Sequence, residues 1–147
     1  QSLSIAFYAR DQVTAFHLAQ EAVEAIRSVR DGNVLLTMSG TPTDLLAGIP
    51  SITGLPFIVD TRDNAMNLCS GGVCGQIRNQ ASTGVYGYGI DGSWADTRFT
   101  RIVRVTQVGG SADEVKVAVE VKWRSGPYRE RTFTISTNLY RWVDDGT

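Results

Sequence analysis

The chain has 147 residues, 42% of them hydrophobic and 20% charged, with a formal net charge of −1. That composition supports one cored domain and excludes a disordered chain. It shows no global basic excess of the kind that marks nucleic-acid or membrane-surface binding, and no apolar run approaches the ~20 residues of a transmembrane helix.

The charge is uneven along the chain. From residue 98 to 141 nine Lys/Arg stand against four Asp/Glu, whereas residues 1–97 hold five basic and nine acidic residues. The plain interpretation is a solvated sheet face; the sharper one is a surface for an anionic partner. The chain begins at Gln1, without Met or a recognisable signal peptide. The expectation is that an upstream segment was removed.

Residues 3–30 predict a long helix, free of Pro and Gly and rich in Ala, Gln, Glu and Leu. Ala15, Leu18, Ala19, Ala22, Ile26 and Val29 recur at three- and four-residue steps and form one apolar stripe, the face expected to pack on a sheet. Glu24 and Arg27 are placed as an i,i+3 pair. Arg27 and Arg30 are placed in the last turn, where they suit the negative end of the helix dipole. Asp31-Gly32-Asn33 reads as the stop, with Gly32 as a left-handed cap. Nearer the start, Ile5, Phe7, Tyr8, Val13 and Phe16 spread around the whole circumference. Such a helix protrudes from its own domain and packs on something else.

Residues 34–96 read as a loop-rich region. Residues 34–38 suit a short helical turn or strand. Residues 56–60 read as a strand and residues 75–78 as a weaker one, pairing with it across a cysteine loop. The only two cysteines lie in Cys69-Ser-Gly-Gly-Val-Cys74. This close pair predicts a small disulfide loop, contributing ~2 kcal/mol by chain entropy, and an oxidising, extracytoplasmic setting. Zinc is disfavoured, because two Cys and one His fall short of four ligands.

The last third predicts an antiparallel meander over residues 98–142. Residues 98–108 are rich in β-branched side chains. In residues 114–123, Val115, Val117, Val119, Val121 and Trp123 alternate with Lys116, Glu120 and Lys122. Residues 131–137 alternate Phe133 and Ile135 with Thr132, Thr134 and Ser136. Gly109-Gly110-Ser111 and Ser125-Gly126-Pro127 are the turns. The predicted class is α+β: a long helix laid across an antiparallel sheet of three to five strands, in one domain divided as 1–31, 34–96 and 98–142.

The search for chemistry finds little. Gly87-Tyr-Gly89-Ile-Asp-Gly92 fits a dinucleotide fingerprint on paper but lacks the helix N-terminus that the fingerprint needs, so no cofactor is expected. His17, the single histidine, sits on the helix far from the cysteines. Asp60, Asp63 and Asn64 offer oxygen ligands for calcium without a standard loop spacing, and a polar turn is the simpler account. Asp144 and Asp145 read as a solvated tail. No acid/base or nucleophilic pair emerges, and the expectation is a structural and interaction protein, with no metal. Arg98, Arg101 and Arg104 alternate faces on a strand and form no single row. Tyr86, Tyr88 and Trp94 with Lys116, Lys122 and Arg131 are the candidate ligand surface, aromatic and basic in a way that suits nucleic acid or glycan stacking, with core or loop packing of the rings as the plainer account.

Ala15-Phe-His-Leu-Ala-Gln-Glu-Ala-Val-Glu-Ala-Ile-Arg-Ser-Val-Arg-Asp31 resembles the helix end of type IV minor pilins and type II secretion pseudopilins. Residues 99–105, 115–123 and 131–142 resemble the closing strands of the same families, with likeness strongest to minor pilins of the pilus-modification type. The match covers both ends and leaves residues 34–96 as a variable insert. The resemblance implies a pilin-like roll lacking its N-terminal hydrophobic helix. That helix would anchor the protein in the inner membrane before polymerisation and pack against other pilin subunits in an extracellular filament afterwards. On this basis Ile5, Phe7 and Tyr8 are candidate filament contacts, in a minor subunit that primes or tips the pilus. The alternatives are a type II secretion pseudopilin and a pilus-tip module for adhesion or DNA binding.

Overall fold

The computed structural model describes residues 2–126 and 129–140. Gln1, Pro127 of the expected turn, Arg141 and Trp142 of the expected final strand, and Asp144 and Asp145 lie outside the described residues.

One helix, α1 (Ser2–Met38), is 37 residues long and therefore about 55 Å in length. It lies on a five-stranded antiparallel sheet in the order β2-β1-β6-β7-β8, formed by β1 (Phe57–Asp60), β2 (Ala65–Leu68), β6 (Thr100–Val108), β7 (Ser111–Arg124) and β8 (Glu130–Tyr140). A second sheet, in the order β4-β3-β5, comes from β3 (Arg78–Gln80), β4 (Val85–Gly87) and β5 (Trp94–Asp96). The class is α+β.

The core follows the alternation of β7. Val115, Val117, Val119, Val121 and Trp123 are all buried beneath α1, beside Val103 and Val105 of β6. Each fully buried side chain of this size stabilises the fold by roughly 1.5–3 kcal/mol. From α1 the core takes Ala15, Leu18, Ala19, Ala22 and Ile26. The three alanines bring the helix close to the valine row. Val29, at the end of the expected stripe, is only half-buried and packs toward Gly48. Val23 and Ala25 join the core beyond that stripe.

The helix does not stop at Asp31-Gly32-Asn33. Asn33 is buried, and its side-chain amide donates to the carbonyls of Leu45 (3.0 Å) and Ala47 (2.8 Å). It ties the following loop to the helix flank instead of ending the helix. Termination comes at Gly40, whose φ is +99°. There Gly40 N–H donates to Thr37 O and Thr41 N–H to Leu36 O, the bond pair of a Schellman cap. Arg27 and Arg30 therefore lie well before the last turn. Arg27 does pair with Glu24, at 2.7 Å.

The middle region is more regular than the sequence suggests. β1 is where it was expected, but its neighbours are β2 and β6. Residues 75–78 do not pair with it; Arg78 opens β3, which joins β4 and β5. Buried Ile77 links the two sheets, its N–H donating to Phe99 O and its carbonyl accepting from Thr97 N–H. The meander of β6, β7 and β8 matches the expected strands, with one irregularity in the β6–β7 register, between Gln107 and Val108.

Candidate functional site

Among the described side chains of α1, the first that is buried is Asp11, held by Arg98 at 2.6 Å. Before it, Ile5 and Phe7 are 69% and 52% exposed, and Val13 just after it is 56% exposed. Tyr8 differs from these. It is half-buried, its ring lies under the Arg131 guanidinium (4.7 Å), and its hydroxyl accepts from Gln12 Nε2. Of the three candidate filament contacts, Ile5 and Phe7 are more than half exposed and Tyr8 is engaged by the domain. Phe16 is half-covered, edge-on to Phe133 at 5.9 Å.

The candidate ligand surface does not exist as a single face. Trp94 is buried, with Arg62 over its ring at 4.6 Å. The backbone of Gly89 approaches so closely that an added Cβ would lie 2.2 Å from the ring. Tyr86 and Tyr88 pack against the main core. Lys116 and Lys122 point away from α1, the latter 3.6 Å from Glu120. Arg131 stands opposite Trp123 and so belongs to the helix side of the sheet. Glycine at residue 89 lets the chain close on the Trp94 ring, and glycine at residue 87 lets it close on Arg62 and Asp60.

Two buried polar clusters replace that surface. Asp60, at the end of β1, takes a bidentate contact from Arg62 (2.6 Å at its closest) and backbone N–H bonds from Arg62 and Tyr88. Burial pushes its carboxyl upward, but the Arg62 hydrogen bonds and charge, aided by Tyr88 N–H, outweigh that and hold it below the ordinary range. Burial also pushes the Tyr88 phenol up, against the opposing charge of Arg101. Arg101 is wholly buried. β1 meets β6 only at Phe57–Val103, and the Arg101 guanidinium fills the gap beyond. It donates to Val59 O (2.8 Å), Leu18 O (3.0 Å) and Glu21 (3.4 Å), pinning β1 to α1. Arg98, Arg101 and Arg104 thus have separate tasks, Arg104 lying 4.0 Å from Glu120 on the outer face.

Cys69 and Cys74 are joined by a disulfide. Their loop walls a groove of about 450 Å³ on the outer sheet face, whose charged lining is four cations, Arg98, Arg104, Lys122 and Arg124, with one carboxylate, Glu130. A shallower groove runs along α1 past His17, Glu21 and Glu24 to Thr61 and Asn64. It joins His17 to neither Asp60 nor Cys69. Asp63 Oδ1 accepts the Ala65 N–H, so the Asp60–Asn64 segment is a hydrogen-bonded turn. Among the described residues no group of three or more His, Cys, Asp or Glu is placed to hold a metal ion, and no helix is long and apolar enough to cross a membrane.

No family model matches the chain, and no curated protein or solved structure matches it either. The surface carries the exposed Ile5 and Phe7 of α1, the basic groove beside the cysteine loop and the groove along α1.

Proposed function

We infer that this chain is a structural subunit of a minor-pilin kind, in which the first turns of α1 pack against neighbouring helices in a filament. The observation that carries this reading is the exposure of Ile5 and Phe7 on a helix whose buried side chains, among those described, begin at Asp11. Large apolar side chains on a projecting helix are stabilised by burial against a partner. The likeness of residues 15–31 and of the closing strands to minor pilins points the same way, as does the α+β arrangement of helix on antiparallel sheet.

The test is made in the native host with the full-length gene product. Ile5→Asp/Phe7→Asp should abolish surface filaments as completely as deletion of the gene. The thermal midpoint of the variant domain should stay within a degree or two of wild type. Normal filaments in the deletion strain would sink the proposal. Loss of protein secretion with surface filaments intact would reassign the subunit to a secretion pseudopilus.

A further inference from the structure

The groove beside the cysteine loop is assembled from two separate parts of the chain. Its floor is the outer face of β6 and β7, where Thr100 and Lys122 are cross-strand partners and Arg104 follows along β6. Its wall is Gly72, Val73 and Cys74, closed by the Cys69–Cys74 disulfide. Gly71 and Gly72 take φ of +62° and +77°, and no atom lies within 4 Å of where a Cβ on either would stand. The wall is a backbone turn, tied at its base and open on the side of the groove.

The lining is positively charged, and its charge is only partly offset. Arg124 and Glu130 are cross-strand neighbours and balance one another. That leaves Arg98, Arg104 and Lys122. Arg98 gives one guanidinium nitrogen to Asp11, and more than half of its side chain stays exposed. Arg104 and Lys122, both partly exposed, share the Glu120 carboxylate at 4.0 and 3.6 Å, distances longer than hydrogen bonds. Neither Asp11 nor Glu120 lines the groove. Thr100 and Gln76 add neutral polar groups to the lining, whose one ring, Trp123, is buried.

We propose that this groove binds a short acidic sugar chain, its charged groups on Arg98, Arg104 and Lys122 and its hydroxyls on Thr100 and Gln76. The lining disfavours the other polyanions. Single-stranded nucleic acid is held by bases stacked on exposed rings, and Trp123 is covered. An acidic peptide helix is anchored by its apolar face, and the apolar side chain of the floor, Ile102, is buried. A sugar chain needs neither. Charge-assisted bonds hold its acidic groups, neutral hydrogen bonds hold its hydroxyls, and about 450 Å³ is the size of a small-ligand site. The groove lies on the sheet face away from α1, so the proposal does not rest on the filament reading.

The experiment titrates the wild-type chain with a heparin-derived hexasaccharide in calorimetry at low salt. Saturable binding is expected, weakening as sodium chloride is raised. Arg104→Gln/Lys122→Gln should weaken it about tenfold or more, with the thermal midpoint unchanged because both side chains are partly exposed. Lys116→Gln, on the same outer face but outside the groove, should leave the affinity as it was. Cys69→Ser/Cys74→Ser loosens the wall and should also weaken binding. The absence of binding at low salt overturns the proposal. So does an equal loss in Lys116→Gln, which would mean a diffuse attraction to the whole face. Tighter binding of a thymidine oligomer of equal charge would overturn it too, and would assign the groove to nucleic acid.

Discussion

The sheet beneath α1 and the small sheet of β3, β4 and β5 are held by different chemistry. Under α1, rows of valine on β6 and β7 interlock with alanine, leucine and isoleucine of the helix, and the stabilisation is spread over many contacts. The small sheet has three strands of three residues each. It depends on a few directed contacts: Arg62 between Asp60 and Trp94, and Arg78 bonded to Asp96 and to the carbonyls of Gly89 and Trp94. Distributed apolar packing tolerates small adjustments and fails globally when a charge is inserted. Directed polar contacts fail locally, one at a time.

The largest effect is expected at the centre of the apolar region. Ile26→Asp places a carboxylate where no water and no partner reach it, and should cost ~4 kcal/mol or more, enough to unfold a domain of ordinary stability. Thermal unfolding checks this. A midpoint equal to wild type would mean that Ile26 does not face the valine row.

A smaller and more local effect is expected at Gly89→Ala. The added Cβ would lie 2.2 Å from the Trp94 ring, so the indole must shift away from Arg62. The cost should be ~2 kcal/mol. Amide exchange should quicken in β3, β4 and β5 while β7 stays protected. Equal acceleration in β7 would show that the two regions unfold as one unit and would erase the distinction drawn between them.

The same contrast explains what the sequence revealed. Val115 to Trp123 alternate without interruption, and the 3.6-residue stripe of α1 complements them, so the helix, the meander and their contact face were legible. The helix end was not. Gly32 and Asn33 carry local stop chemistry, but the Asn33 amide finds the Leu45 and Ala47 carbonyls, and tertiary bonding overrides the local preference. The three-residue strands are too short to show a period. For Trp94 and Tyr88 the sequence leaves surface and packing both open, because aromatic rings in a glycine-rich stretch suit either. The useful signal was the glycine spacing itself, since Gly87 and Gly89 sit where the backbone presses on Arg62 and Trp94. The buried role of Arg101 left no trace, because an arginine on a strand is ordinarily solvated.

The finest test of the comparison uses acid. The Asp60 carboxyl is held below its ordinary value near 3.8, so in this range the unfolded chain binds a proton that the folded one does not. Its contribution to stability is fully present above the unfolded value and is lost as pH falls through the lower folded value. Asp60→Asn removes that contribution. In urea titrations the variant should be less stable than wild type at about pH 6, and the gap should narrow steadily as the solution is taken below about pH 4. Because Arg62 and Tyr88 N–H both converge on this carboxylate, the loss should appear first as faster exchange in β4 and at Tyr88, ahead of any change under α1. A stability gap constant from neutral to acid would show that Asp60 acts through shape alone, and the charge-based account of the small sheet would then fail.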